Sequence, residues 1–375
     1  MEREEGIVGE GGNPVGKIRE KIRDIMRKMG DKEYFVGGAG LFAAAVLLQV
    51  LARNVTGMAT WYAHHVYPLL VRVIGGFFGF FSFSVVEKAL YLLVWGGVLY
   101  VWRFWREPRR VLARTFFLAG MMFFLYTCNC GVNYYAVPFS EYADLEVGTH
   151  SKEELKELCK FLTKRVNETA LEERYVDNRW AWREESVRAM GRAGKKFPVL
   201  GGFYPKPKEV RMSSILSVQQ LCGIYSPFTI EANYNKHMPS YNIPHTMCHE
   251  LSHLKGFMRE DEANFIGYLA CVESERQAFR YSGFLTGWVY AGNALAEVDL
   301  ESYLELRGQL CKQAKEDLRE NNAFWNKYEG KVAEVANQMN DVYLKANDQS
   351  DGVQSYGRMV DLMLGYYQKC EKERE

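Results

Sequence analysis

Hydrophobic and polar positions divide the chain near residue 135: apolar residues form long runs before it and recur at helical steps among charges after it. Tyr34 to Ala52 carries no charge and is rich in Leu, Val, Ala and Phe. Its length is close to the roughly 20 residues a helix needs to cross a bilayer. Two further runs follow, Val85 to Trp105 and Thr115 to about Tyr135. The pattern predicts a membrane domain over 34–135 with spans at about 34–52, 85–105 and 115–135. Between the first two spans, Pro68, Gly75, Gly76 and Gly79 argue against one straight helix. Trp61, Tyr62, Tyr67 and the Phe-rich run Phe77 to Phe83 predict a segment at the membrane surface.

Charge orients these spans. Residues 1–33 are basic (Lys17, Arg19, Lys21, Arg23, Arg27, Lys28, Lys32), and Arg103, Arg106, Arg109, Arg110 and Arg114 crowd the link before the third span. Positive flanks favour the cytoplasm, and three spans put both on that side. This predicts a multi-pass protein of the cytoplasmic membrane, held in the bilayer by a retained anchor rather than a cleaved signal, with 136–375 extracytoplasmic. A formal net charge of +1 gives no bias toward nucleic acid. None of the eight cysteines has C-x-x-C spacing. Cys128 and Cys130 read as buried thiols, and Cys248 gets no metal role.

Beyond residue 136, Leu155, Leu158, Leu162 and Val166 recur at steps of three and four, predicting helices. Phe197 to Tyr241 breaks into β-prone runs at Val199–Leu200, Ile215–Val218, Gly223–Tyr225 and Thr229–Ala232, and helices resume afterwards. The expected fold is mainly α: a three-helix transmembrane part followed by an α-rich, zincin-like α+β domain over 136–375.

The chemistry concentrates in HELSH, residues His249 to His253. On a helix, positions i and i+4 share a face. His249 and His253 can therefore hold one metal ion, with Glu250 placed to take a proton from water there. A catalytic zinc takes three protein ligands and keeps one position open. Gly256 suits a left-handed helix end that turns the chain back toward the site. Arg259 occupies the slot where a metzincin places its third His. The run Glu260-Asp261-Glu262-Ala263-Asn264 instead fits the gluzincin second-helix pattern, with Glu260 as third ligand, Glu262 as the fallback and Asn264 orienting a His. For stabilising the transition state, Tyr356 is the first candidate, then His245 and Tyr225.

With these motifs the sequence resembles an uncharacterised bacterial membrane family, domain of unknown function 3810. The resemblance rests on the three spans, GVNYY at Gly131 to Tyr135, GIYSPFTIEANYN at Gly223 to Asn235, HELSHLKGF with EDEANF, YLKAN, and DGVQSYGR. It implies a membrane-anchored zinc metallopeptidase and supplies no substrate. The E-x-E-A-N element is also similar, locally, to that of phage-repressor-cleaving and CAAX-processing zinc peptidases. The expected function is hydrolysis of peptides or proteins at the bilayer, with Zn2+ as cofactor; the sequence leaves the oligomeric state open. The alternative is a non-enzymatic membrane sensor or scaffold with a structural or degenerate zinc site. HELSH lies far along the chain from the third span in a charged region, which places it away from bilayer depth.

Overall fold

A computed structural model describes residues 30–148, 150–170, 178–347, 349 and 358–372. Nearly all of the basic segment 1–33 lies outside these residues. Among them, three helices are long and apolar enough to cross a membrane. They are α1 (Asp31–Asn54) and, after the short α2 (Met58–His65), α3 (Val85–Phe104) and α4 (Pro108–Asn129). The third begins at Pro108 rather than Thr115. Proline fits a first helical turn, where its missing N–H costs no bond. Arg109, Arg110 and Arg114 thus lie on the helix rather than in a loop.

The chain divides into two compact units, residues 1–46 with 94–124 and residues 47–93 with 125–375. In the first, α1 and α4 pack through small residues: a Cβ on Gly120 would sit 2.8 Å from the Gly38 carbonyl oxygen. Arg114 and Asp31 pair at 2.9 Å.

The second unit is built mainly from helices, α5 (Lys152–Thr169), α6 (Arg179–Lys196), α7 (Asn242–Lys255), α8 (Glu260–Val272), α9 (Gln277–Val298), α10 (Leu300–Gln309), α11 (Lys312–Asn326), α12 (Lys331–Ala346) and α13 (Met359–Lys372). A capping box between Ser151 and Glu154 starts α5. A small sheet has the order β1 (Lys208–Val210), β3 (Glu231–Asn235), β2 (Gly223–Ser226). β3 runs parallel to β1 and antiparallel to β2, with Gly223 opposite Tyr234 and Ser226 opposite Glu231. The β-prone run at Ile215–Val218 is helical instead, and Val199–Leu200 forms a 3-10 turn. Ser217 bonds back to the Ser213 carbonyl and accepts from Asn235, which holds that helical turn against β3. α7 lies at the centre, packed by α6, α8, α9, β2 and β3.

The span ends are built into this unit. Glu231 on β3 accepts from the Val85 and Val86 N–H groups at the start of α3, at 3.1 and 2.8 Å. Glu87 accepts from Arg211 and Met212 N–H at 3.0 and 2.8 Å. At the end of α4, the Tyr62 hydroxyl donates to the Cys128 carbonyl and the Tyr225 hydroxyl to the Asn129 carbonyl. The aromatic segment between α2 and α3 is a broken helical run with a π-helical turn at Val71–Gly75. Tyr67, Val71 and Gly75 are buried, while Leu69, Val73, Phe77 and Phe80 are exposed. One side of this segment is thus sunk into the unit and the other is apolar and exposed.

Candidate metal centre

α7 forms because its apolar positions Ile243, Met247, Leu251 and Leu254 recur at helical steps and are all buried. Pro244 stays within the first turn, where it breaks no helical bond. The helix ends at Gly256, whose φ of 111° lies in the left-handed region. Gly256 N–H bonds to the His253 carbonyl and Phe257 N–H to the Ser252 carbonyl. The chain then reverses, and α8 starts at Glu260 with three carboxylates in its first turn, where the helix dipole favours negative charge.

This reversal brings His249, His253 and Glu260 together, one ligand atom from each lying within 4.8 Å of the others. The two Nε2 atoms are 3.1 Å apart. Glu260 lies 3.4 Å from His249 Nε2 and 3.6 Å from His253 Nε2. His253 Nδ1 donates to the Phe257 carbonyl at 2.9 Å, which leaves Nε2 as the lone-pair nitrogen facing the cluster. Two imidazoles and a carboxylate are a donor set that suits zinc.

Glu250 is buried beside the cluster, and its Oε2 has no partner among the described residues. Burial, with Glu260 nearby, pushes its carboxyl up to about 8 despite the opposing pull of His249. Burial lowers His253 to about 4. At His249 burial also pulls down, but Glu260, Glu250 and Asn264 outweigh it and the ring is raised. A dication in the cluster would favour ionised Glu250 and neutral imidazoles.

The remaining residues separate cleanly. Glu262 points elsewhere: its carboxylate accepts from Phe139 N–H at 2.8 Å, and it lines a separate cavity of about 170 Å³. Asn264 lies beside His249 and favours its protonated form, yet both His249 Nδ1 and Asn264 Nδ2 are buried without a well-formed hydrogen bond among the described residues. The backbone carbonyl of Asn264 instead accepts from His245 Nε2 at 3.1 Å. The Tyr225 hydroxyl is tied to Asn129 and Tyr67. Tyr356 lies outside the described residues.

The cluster opens into a cleft of about 880 Å³. β2, the edge strand, forms one wall, and Gly223 fits so closely under Glu250 that a Cβ there would collide with the carboxylate. Thr286, Val289, Tyr290 and Asn293 of α9 form another. Their i, i+3, i+4, i+7 spacing marks one face and was a readable signal within an otherwise apolar helix. Asn337, Asn340 and Tyr343 of α12 also line the cleft. So do Cys130 and Tyr134, immediately after the third span, and Cys130 Sγ lies 3.7 Å from Met258 Sδ. Folding thus sets His249, His253 and Glu260 on the same cleft as residues that directly follow α4, far away along the chain.

No curated protein and no solved structure matches this chain. A family model described as "Protein of unknown function (DUF3810)" matches residues 62–364, from within α2 into α13. Covering most of the sequence, that match identifies the chain as a member of the DUF3810 family.

Proposed function

We propose that the protein is a membrane-anchored, zinc-dependent metallopeptidase. The observation that carries this reading is the convergence of His249, His253 and Glu260 at an open cleft, beside a buried Glu250 oxygen that has no hydrogen-bond partner among the described residues. Zinc bound by these three side chains would supply Lewis acidity for peptide hydrolysis. Glu250 then serves as general base, taking a proton from the attacking water and returning it to the leaving amine. The edge strand β2 pairs with an extended substrate backbone and places it across Glu250. Tyr290, whose hydroxyl is held protonated by burial and by neighbouring Cys222 and Glu260, donates to the substrate carbonyl as charge develops on it. It takes the part that the sequence pointed to in Tyr356. The closed structural-site alternative needs a further ligand such as Glu262, whose carboxylate is engaged with Phe139 N–H.

The test compares zinc content and hydrolysis of a quenched-fluorescence peptide set by the wild type, Glu250→Gln and His253→Ala. The expected pattern is zinc retained with hydrolysis lost in the first variant, and both lost in the second. Equal zinc in His253→Ala overturns the metal site, and full activity in Glu250→Gln overturns its role as base. The reading also places 136–375 outside the cytoplasm, so added protease should degrade it in intact spheroplasts.

A further inference from the structure

We infer that α12 lies along the bilayer surface, one face walling the cleft and the opposite face in the headgroup layer, so that the site receives polypeptides tethered to the membrane. The substrate half of this inference rests on the peptidase reading; the placement of α12 does not.

The helix carries three kinds of face. Ala333 and Leu344 are buried, and Asn337 and Asn340 line the cleft between them. Val332, Val335, Met339 and Val342 follow one another at steps of three and four, and all are exposed, Met339 by 69%. At 100° per residue this stripe falls on the side away from the cleft. Lys331, Glu334, Asp341 and Lys345 flank it. A continuous apolar row of this kind marks a surface that something apolar covers.

The ends of the spans say what covers it. Arg53 Nη2, in the last turn of α1, donates to the Ala346 carbonyl at 3.3 Å. The Tyr126 hydroxyl, in the last turn of α4, donates to Asn347 Oδ1 at 2.6 Å. Arg and Tyr at the ends of spanning helices sit at headgroup level, so the C-terminal end of α12 is pinned there. With a rise of 1.5 Å per residue, Val342 lies only ~6 Å and Met339 ~10 Å along the axis from that anchor. An apolar stripe bordered by lysines, starting at headgroup level, matches an interfacial helix.

The cleft inherits this position. Tyr343, on the same helix, meets the Tyr134 hydroxyl at 3.1 Å and Cys130 at 3.5 Å, and all three line the cleft. Its mouth therefore lies within a short reach of the lipid surface. A chain segment emerging from the bilayer, or held to it by an acyl anchor, is already concentrated at this depth and loses less translational freedom on binding than a free peptide does.

The test uses the full chain in nanodiscs of phosphatidylcholine and phosphatidylglycerol. An environment-sensitive fluorescent amino acid is placed singly at Val335, Met339 and Val342, and at Glu334 and Asp341 for comparison. The stripe positions should be quenched by lipids brominated on the acyl chain, most strongly at Val342, and shielded from aqueous iodide; the two comparison positions should show the reverse. Iodide quenching of the stripe without lipid quenching overturns the placement, as does shielding that depends on protein concentration, which would mean a second copy covers it. None of these readings involves zinc or hydrolysis, so their failure is distinct from failure of the peptidase reading. For the substrate class, the peptide set is assayed with and without a palmitoyl anchor in the same lipid. A kcat/KM at least tenfold higher for the anchored peptides is expected, and equal values overturn the assignment.

Discussion

Replacing Glu231 by alanine tests how the start of α3 is held to β3, in the unit that carries His249, His253 and Glu260. The carboxylate is 2% exposed and pairs with Lys208, which is equally buried. It also accepts from Val85 N–H, Val86 N–H and the Thr229 hydroxyl. Removing it leaves the Lys208 ammonium with the Phe78 carbonyl, at 2.7 Å, as its remaining partner. Breaking a buried ion pair on one side costs about 3–5 kcal/mol. The lost carboxylate at the N-terminus of α3 adds about 0.5–1 kcal/mol. For a unit of this size each kcal/mol lowers Tm by roughly 2 °C, so Glu231→Ala should melt about 7–12 °C below wild type. The double variant Lys208→Met, Glu231→Met removes both charges and leaves only the Val85 and Val86 N–H groups short of a partner, since the Thr229 hydroxyl still reaches Ser226 Oγ at 2.9 Å. It should recover about half of the loss. The assay is tryptophan fluorescence during heating of the detergent-solubilised full chain at one scan rate. A Glu231→Ala melting point within about 2 °C of wild type, or a double variant no better than the single, refutes the argument.

Three further outcomes follow from the geometry. In Gly223→Ala the new methyl meets the Asn233 carbonyl oxygen at 2.8 Å as well as the Glu250 carboxylate, which gives way because its Oε2 has no partner; hydrolysis should fall by about 10²-fold or more with zinc retained, read by metal analysis beside the peptide assay. Gly256→Ala puts a Cβ at a φ of 111° and shifts Phe257, whose carbonyl orients His253; stability should drop by about 1–2 kcal/mol and zinc affinity by about 10–100-fold, read by competition with a chelator. Glu185 is buried, and although burial pushes its carboxyl up, Ser274, Arg188 and Arg192 hold it below its usual 4.5. Its stabilisation is therefore present above pH 4.5 and lost as pH falls through the depressed folded value, so Glu185→Gln should lower Tm at pH 7 and the gap to wild type should close at acid pH.

Much of this was legible because it depends on local period and spacing. Two imidazoles four residues apart and a glycine three residues later define a helix, its end and a reversal before any coordinates are known. The three helices long and apolar enough to cross a membrane announce themselves by length and lack of charge, though α4 starts earlier than its apolar run because arginines are tolerated on its first turns. What stayed hidden depends on contacts between distant segments. Nothing in the local sequence says that Glu262 spends its carboxylate on Phe139, or that Asn264 gives its carbonyl to His245. Ile215–Val218 reads as a strand by its β-branched residues, and tertiary bonds through Ser213, Ser217 and Asn235 make it a helical turn.

The burial of Tyr67 bears on how the protein is made. Its hydroxyl meets the Leu254 carbonyl on α7, and its ring lies 3.4 Å from where a Cβ on Gly256 would stand. Residues translated between the first and second spans therefore form part of the floor beneath the HELSH helix. On the ribosome, that floor is synthesised long before His249. Assembly of the His249, His253 and Glu260 cluster thus depends on a segment made between two helices apolar enough to cross a membrane: a chain in which Tyr67 is misplaced lacks the support under α7.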